Sequence, residues 1–227
     1  MKSRFVRLAI FVAGSWLSAA EAASAPEATL QHMTSPKRIV MIEPDVQLRE
    51  LDAGGILEPR ADWTKAALTF IDKDLRAHFV KSGVELVNAD RATSREIQLV
   101  KLHAVVGQAI LTHLYNSGAK LPNKVTALDW TLGRGTNEMR DRYSADYALF
   151  IFVRDSYSSP TRRAVQVLGA IGGVDFDAGV QTGFASLVDL RTGNIVWFNR
   201  LVSRFGDLRT EQPAQQTVDA LIKDMPL

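Results

Sequence analysis

The sequence predicts an α+β domain in which a single mixed β-sheet carries packed helices. Three observations favour this class: apolar runs of strand length, amphipathic segments between them, and a late hairpin pattern followed by a closing helix. The chain has 227 residues, 46% of them hydrophobic, which suffices for a substantial buried core. We expect one domain over residues 37–227, since no internal linker divides it.

The first 22 residues have the three parts of a secretory signal peptide. Basic residues precede an apolar run from Leu8 to Leu17, and Ala-Glu-Ala at 20–22 fits the cleavage pattern. We expect this signal to be removed, with a retained N-terminal anchor as the alternative, and a flexible leader at 23–36. No later segment is expected to be long and apolar enough to span a membrane. The mature protein is therefore expected to be periplasmic or secreted.

Charge and cysteine content restrict the function further. Removing the signal takes away three of the 27 basic residues and one of the 25 acidic ones, leaving 24 of each. A general phosphate-binding surface thereby loses its main support, and we expect no nucleic-acid partner. The chain has no cysteine, which excludes thiolate catalysis, Cys-ligated metal sites and acylation of an N-terminal cysteine.

The first half of the domain combines short strands with a long helix. Arg38 to Ile42 (RIVMI) predicts a buried strand, and a loop with two glycines follows. Asp62 is the expected N-cap of a helix, and Gly83 ends it in a left-handed cap. Its apolar stripe has members four residues apart: Trp63, Ala67, Ile71, Leu75 and Phe79.

A second strand (Val84 to Val87) precedes a second helix. Thr93 and Glu96 match the Thr-x-x-Glu capping box, and the helix is expected to run to about Asn116, before Gly118. The positions expected to face the sheet are Ile97, Val100, Ala104, Ile110 and Leu114. A short helix is expected from Thr136 through Tyr143.

The second half contains the strongest strand patterns. Tyr147 to Val153 (YALFIFV) has no charge, which favours a central strand covered on both faces, with a buried helix segment as the alternative. Val188 to Asn199 (VDLRTGNIVWFN) predicts a hairpin. Its structural turn consists of Asp189, Thr192 and Gly193, the aspartate accepting hydrogen bonds from turn amides and the glycine taking a positive φ.

This hairpin occurs once, whereas a propeller repeats its blade about every 40 to 50 residues. A propeller is therefore disfavoured, and Trp197 is expected to have a packing role. The segment from Pro213 to Met225 predicts a closing helix.

The order of these motifs resembles periplasmic lipoprotein-like α+β domains of the curli-secretion channel (CsgG-like), TolB N-terminal-like and penicillin-binding-protein-activator types. The resemblance rests on KRIVMIEPD after a loose leader, SADYALFIF (Ser144 to Phe152) and GFASLVDLRTGNIVWFN (Gly183 to Asn199) before a terminal helix. It implies a non-enzymatic envelope protein that assembles with itself or with a partner. The absence of a cysteine departs from the lipoprotein pattern.

The search for chemistry yields no catalytic residue, no metal site and no cofactor. His78 lies four residues after Asp74 with no third ligand, and His103 and His113 are too far apart on one helix to share an ion. Gly133-Arg134-Gly135 lacks the further residues of a dinucleotide or P-loop motif, so a glycine turn is favoured. No G-x-S-x-G or H-E-x-x-H motif is present.

Two segments remain as candidate interaction sites. The polar loop expected at 153–163 follows the central strand, where α/β sheets often bind ligands. Its candidate interaction or ligand residues are Arg154, Asp155, Tyr157, Arg162 and Arg163. A plain solvated loop is the favoured alternative, because loops commonly have this composition. The apolar segment 164–174 favours a bent strand or a buried short helix, with peripheral membrane contact as the alternative.

The sequence thus predicts an exported accessory or assembly protein that acts through protein contacts in the cell envelope. The alternative is an exported enzyme or small-ligand-binding protein that uses the polar loop at 153–163.

Overall fold

The computed structural model describes residues 38–89, 92–115, 121–122, 124, 128–171, 181–203 and 207–227. The signal peptide expected at 1–22 and the leader expected at 23–36 lie outside these residues. The elements in chain order are β1 (Arg38–Met41), β2 (Asp45–Leu51), β3 (Leu57–Pro59), α1 (Ala61–Ser82), β4 (Glu85–Asn88), α2 (Ser94–Leu114), a 3-10 turn (Arg134–Thr136), α3 (Asn137–Tyr143), β5 (Tyr147–Ser158), α4 (Pro160–Ile171), β6 (Gln181–Asp189), β7 (Ile195–Ser203) and α5 (Glu211–Leu221).

The central strand of the sheet is β5. Along one of its edges, β1 and β2 lie end to end and parallel to it, Ile39 opposite Tyr147 and Asp45 opposite Phe152. Strand β4 pairs in parallel with β1, and β3 pairs antiparallel with β2. On the other edge β5 pairs antiparallel with β6, which pairs antiparallel with β7. The sheet is therefore mixed, and the predicted α+β class with a C-terminal hairpin and closing helix is confirmed.

Each face of the sheet has its own core. Helices α1 and α5 cover one face, where their buried side chains meet those of the odd-numbered residues of β5 from Leu149 to Val153. Helices α2 and α3 pack on the opposite face against Ala148 and Phe150. Because both faces are covered, the middle of β5 needs no polar side chains.

Helix α1 follows the predicted stripe but begins differently. Ala67, Ile71, Leu75 and Phe79 are buried and Trp63 is half-buried. The N-cap is Arg60, without a side-chain capping bond, so the prediction of Asp62 as the cap is wrong. Asp62 lies inside the first turn, where its carboxylate accepts a hydrogen bond from Arg60. Gly83 ends the helix at φ 74°, as predicted.

Helix α2 begins with the predicted capping box, since Thr93 and Glu96 bond to each other's backbone amides. The prediction of its sheet-facing side is confirmed in part: Ile110 is buried, and Val100 and Leu114 pack against the core. Ile97, however, is 47% exposed. The other buried positions are Glu96, Leu99, His103 and Gly107. The side of the helix that carries Gly107 approaches the sheet most closely. Ile97 therefore lies on the outward side of the helix. The predicted helix end near Asn116 and Gly118 lies outside the described residues.

By length and composition alone, α2 could cross a membrane, with 21 residues and a mean hydropathy of 1.2. The expectation that no segment is long and apolar enough is therefore wrong for this helix. Core helices of soluble proteins pass the same test, and one face of α2 lies on the sheet.

Two strands were not predicted. The loop expected after Ile42 contains β2 and β3, because Glu43 and Pro44 interrupt the first strand only briefly before β2 continues alongside β5. Val46 and Leu48 are buried in β2, which is the alternation of a half-buried strand.

The segment expected at 164–174 as a bent strand or buried short helix begins as part of α4. Residues 164, 165 and 167 are exposed, so burial is the wrong expectation for this part. Residues 172–174 lie outside the described residues.

The hairpin of β6 and β7 has the predicted turn. Asp189 Oδ1 accepts hydrogen bonds from the amides of Arg191 at 2.8 Å and Thr192 at 3.2 Å. Gly193 has a φ of 79°, and Trp197 is buried in the core. All three expectations are confirmed.

Candidate functional site at the end of the central strand

The predicted polar loop is largely strand. Arg154, Asp155 and Tyr157 lie in β5, because β2 pairs with it through all three positions and β6 pairs with it as far as Arg154. Arg162 and Arg163 lie in the first turn of α4. The expectation of a loop from 153 to 158 is therefore wrong. The non-local pairing partners supply backbone hydrogen bonds that the local sequence does not reveal.

Strand geometry separates the candidate residues onto two faces. Asp155 and Tyr157 project toward the side of α1 and α5. Arg154 projects to the other side, where it binds Asp45 at 2.8 Å (Nη2 to Oδ1) and lies 4.0 Å from the ring centroid of Phe152. The structure therefore brings Asp155 and Tyr157 together but leaves Arg154 apart from them.

Asp155 is the centre of a buried polar network. Its side chain is 4% exposed, and its Oδ2 accepts hydrogen bonds from the Tyr157 hydroxyl and from Gln181 Nε2, the latter at 2.8 Å. Thr217 of α5 donates to Gln181 Oε1 at 3.2 Å. Tyr157 in turn accepts a bond from the Leu208 amide at 2.7 Å. The network thus joins β5, β6, α5 and the segment before α5.

Burial sets the protonation behaviour of the two central groups. It raises the pKa of the Asp155 carboxyl, an effect that the hydrogen bonds from Tyr157 and Gln181 partly oppose. Burial and the adjacent Asp155 carboxylate both raise the pKa of Tyr157. The tyrosine therefore stays a hydroxyl donor at neutral pH.

A layer of aromatic rings and guanidinium groups lies beside this network. The guanidinium carbons of Arg60 and Arg209 are 4.3 Å and 4.7 Å from the Trp63 ring centroid, and Arg209 is 4.0 Å from that of Tyr157. Arg209 forms two bonds to Asp207, at 2.6 Å and 2.7 Å. Arg60 forms ion pairs with Glu50 and Asp62.

The positive charges of Arg60 and Arg209 are neutralised by acidic side chains of the same chain. The Asp155 carboxylate is likewise enclosed by its own donors. The arrangement is suited to holding the sheet, α1 and α5 together. The donor and acceptor groups of the buried side chains form hydrogen bonds to one another within the network.

A second buried polar contact lies on the opposite face. His103 Nε2 of α2 is 2.9 Å from Ser186 Oγ of β6, and its ring centroid lies 5.0 Å from Phe150 and 5.2 Å from Phe184. Burial lowers the pKa of His103 to about 3. Both polar groups are fully enclosed, so the contact positions α2 on the sheet.

No cluster of three metal-ligating side chains occurs among the described residues. His78 packs its ring edge-on to Phe79, with ring centroids 6.0 Å apart. His32 lies outside the described part of the chain.

The outward side of α2 is apolar at three positions. Ile97, Leu102 and Val105 are 47%, 40% and 68% exposed, and we call them the α2 outer face. Lys101 is the only Asp, Glu, Lys or Arg between Ile97 and Thr112. An exposed helix face normally carries more charge than this.

Sequence reasoning missed the network partners Gln181, Thr217 and Leu208. They come from distant parts of the chain, Gln181 being 26 residues from Asp155 and Thr217 another 36 residues on. Polar residues at strand ends are common, so the sequence carried no signal that these side chains would meet. The same holds for Ser186, which is 83 residues from His103.

These features define the chain as an α+β domain with a single mixed sheet. No protein-family model matches it, and no curated protein matches it significantly. Three solved structures are similar in part. The lipoprotein GNA1162 from Neisseria meningitidis is 14% identical, with 78% of this chain and 86% of that chain covered at a TM-score of 0.34.

The PelC dodecamer from Paraburkholderia phytofirmans is 12% identical over 84% of this chain and 87% of that chain, with a TM-score of 0.38. The LpoB C-terminal domain from Salmonella enterica is 11% identical over 75% of this chain and 85% of that chain, with a TM-score of 0.28. Likenesses this distant carry no argument about function or assembly. The CsgG-like and TolB-like types are not confirmed.

Proposed function

We propose that this chain is an exported accessory protein of the cell envelope that acts by binding another protein through the α2 outer face. The observation that carries the proposal is the exposure of Ile97, Leu102 and Val105 on a helix whose opposite stripe is already buried. The secretory pattern at 1–22 supports its location in the periplasm or outside the cell. Its expected lack of lipidation rests on the absence of cysteine.

The α2 outer face has the composition of a contact surface. Exposed apolar side chains grouped on one element mark interaction sites more often than scattered ones do. The face also has uncharged neighbours, Gln98 and Gln108, which are both exposed. Lys101 is the one Asp, Glu, Lys or Arg between Ile97 and Thr112, and a low density of charged residues is characteristic of protein interfaces.

The rigid attachment of α2 supports the same function. The contact between His103 and Ser186 and the close approach of Gly107 to the sheet fix the helix in position. A partner that binds the outer face then meets a surface whose shape is already set, which lowers the entropic cost of binding.

The buried network at the end of β5 supports a non-enzymatic role for Asp155 and Tyr157. A catalytic acid or base must reach the proton that it transfers, and both polar groups here are engaged within the fold. We therefore assign the candidate residues Asp155 and Tyr157 to structure.

Membrane contact through α2 and α4 is the alternative to the proposed protein contact. Helix α2 passes the length and composition test for a span, and α4 exposes Val165 and Val167. Lys101 in the middle of the α2 outer face opposes insertion, because a charged side chain at the bilayer centre costs about 2.5–3.5 kcal/mol or more.

Matched charge substitutions test the proposal. Val105→Glu places a carboxylate on the α2 outer face, whereas Val80→Glu places one on α1, where Val80 is 82% exposed on the other side of the sheet. We expect native complexes extracted from the envelope to lose the chain in the Val105 variant and to keep it in the Val80 variant. Equal behaviour of both variants, or a strictly monomeric wild-type chain with no partner, would contradict the proposal.

A further inference from the structure

Two glycine motifs that are distant in sequence form one surface. A Cβ at Gly193 of the hairpin turn would lie 2.1 Å from the carbonyl oxygen of Gly133. The segment before the 3-10 turn therefore runs directly against the turn between β6 and β7. This contact requires glycine at position 193 because of the missing side chain as well as the positive φ.

Hydrogen bonds make this junction rigid. The carbonyl of Gly193 accepts bonds from the Leu132 amide at 2.8 Å and from the Thr131 hydroxyl at 2.9 Å. The Gly133 amide donates to Thr131 Oγ1 at 2.9 Å. At the start of α3, the amide orientation of Asn137 that matches donors with acceptors places its NH2 group against the carbonyls of Leu190 and Arg191. Both sides of the junction are thus held in place without a ligand.

An open cleft of about 630 Å³ lies on this junction, lined by Arg134, Arg191, Thr192 and Asn194. Arg134 is exposed and forms no ion pair within the described part of the chain. Arg191 is 76% exposed and lies 3.9 Å from Asp189 (Nη2 to Oδ2), a long contact. The Asp189 carboxylate is already engaged through Oδ1 with the amides of the turn.

The lining residues have the chemistry of an oxyanion site. Two planar guanidinium groups offer paired N–H donors that match the oxygens of a phosphate. The Thr192 hydroxyl and the Asn194 side-chain amide add neutral donors. These four donor groups suit the three or four oxygens of a phosphate.

We propose that the cleft between Arg134 and Arg191 binds a phosphate group. It differs from a phosphate loop, because the side chains of two arginines supply the charge in place of a row of glycine amides. It is also independent of the proposed protein contact, since the α2 outer face takes no part in it. The nearly neutral charge of the domain is compatible with such a local site, because it excludes only a general phosphate-binding surface.

The experiment titrates the full mature chain with inorganic phosphate and follows the amide NMR signals of Thr192 and Asn194. We expect saturable shifts at these residues. Arg134→Gln and Arg191→Gln should each weaken binding by at least about tenfold, as expected for loss of a charge-assisted hydrogen bond. Arg140→Gln is the matched control, because Arg140 is exposed on α3 and does not line the cleft.

A second arm distinguishes the source of the phosphate group. Vesicles of phosphatidylcholine with phosphatidylglycerol, and vesicles of phosphatidylcholine alone, are tested for sedimentation of the same variants. Binding to the anionic vesicles that is lost in both cleft variants supports the proposal and identifies a lipid headgroup as the ligand. Saturable binding of inorganic phosphate with the same losses supports a free phosphate ester. No saturable binding in either arm, or equal loss in the Arg140 variant, would overturn the proposal.

Discussion

Gly107 of α2 lies so close to Phe184 of β6 that a Cβ at position 107 would be 2.0 Å from Cε2 of the ring. Phe184 is fully buried and stacks on Phe152, with ring centroids 4.8 Å apart. Movement of the ring is therefore restricted by its neighbours. This contact determines how closely α2 approaches the sheet and, with it, which side chains of α2 face outward.

Gly107→Ala should consequently destabilise the protein although alanine is the better helix former. Overpacking a filled core costs about 1–3 kcal/mol, and we expect a loss in the free energy of unfolding of this size, measured by chemical denaturation. Gln108→Ala is the control, because Gln108 is exposed on the same helix. Equal stability of the two variants would contradict the close contact.

His103 predicts a specific pH dependence of stability. Burial lowers its pKa from 6.5 to about 3 in the folded chain, so between these values the unfolded chain binds more protons and stability falls as the pH is lowered. From pH 7 to pH 5 this group should cost about 2 kcal/mol. The measurement compares urea unfolding of wild type and His103→Gln at both pH values.

In the His103→Gln variant this component of the pH dependence should disappear. If the variant loses as much stability as the wild type between pH 7 and pH 5, then His103 is not the buried neutral group described above.

The Tyr157 hydroxyl is expected to contribute to stability from within the buried network. Tyr157→Phe removes a donor to Asp155 and the acceptor of the Leu208 amide. A buried polar group left without a partner costs about 1–3 kcal/mol, and thermal and chemical unfolding should show a loss of that order. The control is Tyr115→Phe, which keeps the ring near Phe198 and under Arg200; a similar loss there would refute a special role for the Tyr157 hydroxyl.

The sequence predicts those elements that depend on neighbouring residues. The stripe from Ala67 to Phe79, the Thr93 capping box and the Asp189 turn each follow from contacts within a few residues. Local spacing determines all three, so a single sequence suffices to predict them.

The elements that were missed depend on distant partners. Strand β2 exists because β5 offers it a long parallel edge, and β5 extends to Ser158 because β2 pairs with it that far, whereas β6 pairs with it only to Arg154. Ile97 was expected to face the sheet, but the contact between Gly107 and Phe184 orients the helix otherwise. Neither relationship is encoded in the local hydrophobic pattern.

The sequence predicts where the candidate residues lie more accurately than how they are arranged. Asp155 and Tyr157 do meet at the end of the central strand, but in a closed network with Gln181 and not in an open loop. The cleft with Arg134 and Arg191 joins two motifs that the sequence indicated separately, as a glycine turn and as a hairpin.

The proposed protein contact is tested most directly by site-specific photocrosslinking in intact cells. A photoreactive residue at position 105 should give a discrete adduct with a defined envelope protein, identified by mass spectrometry and abolished by Ile97→Glu in the same chain. The same residue at position 80 should give none. Absence of an adduct at position 105, or the same adduct from position 80, would contradict the assignment of the α2 outer face as the contact surface.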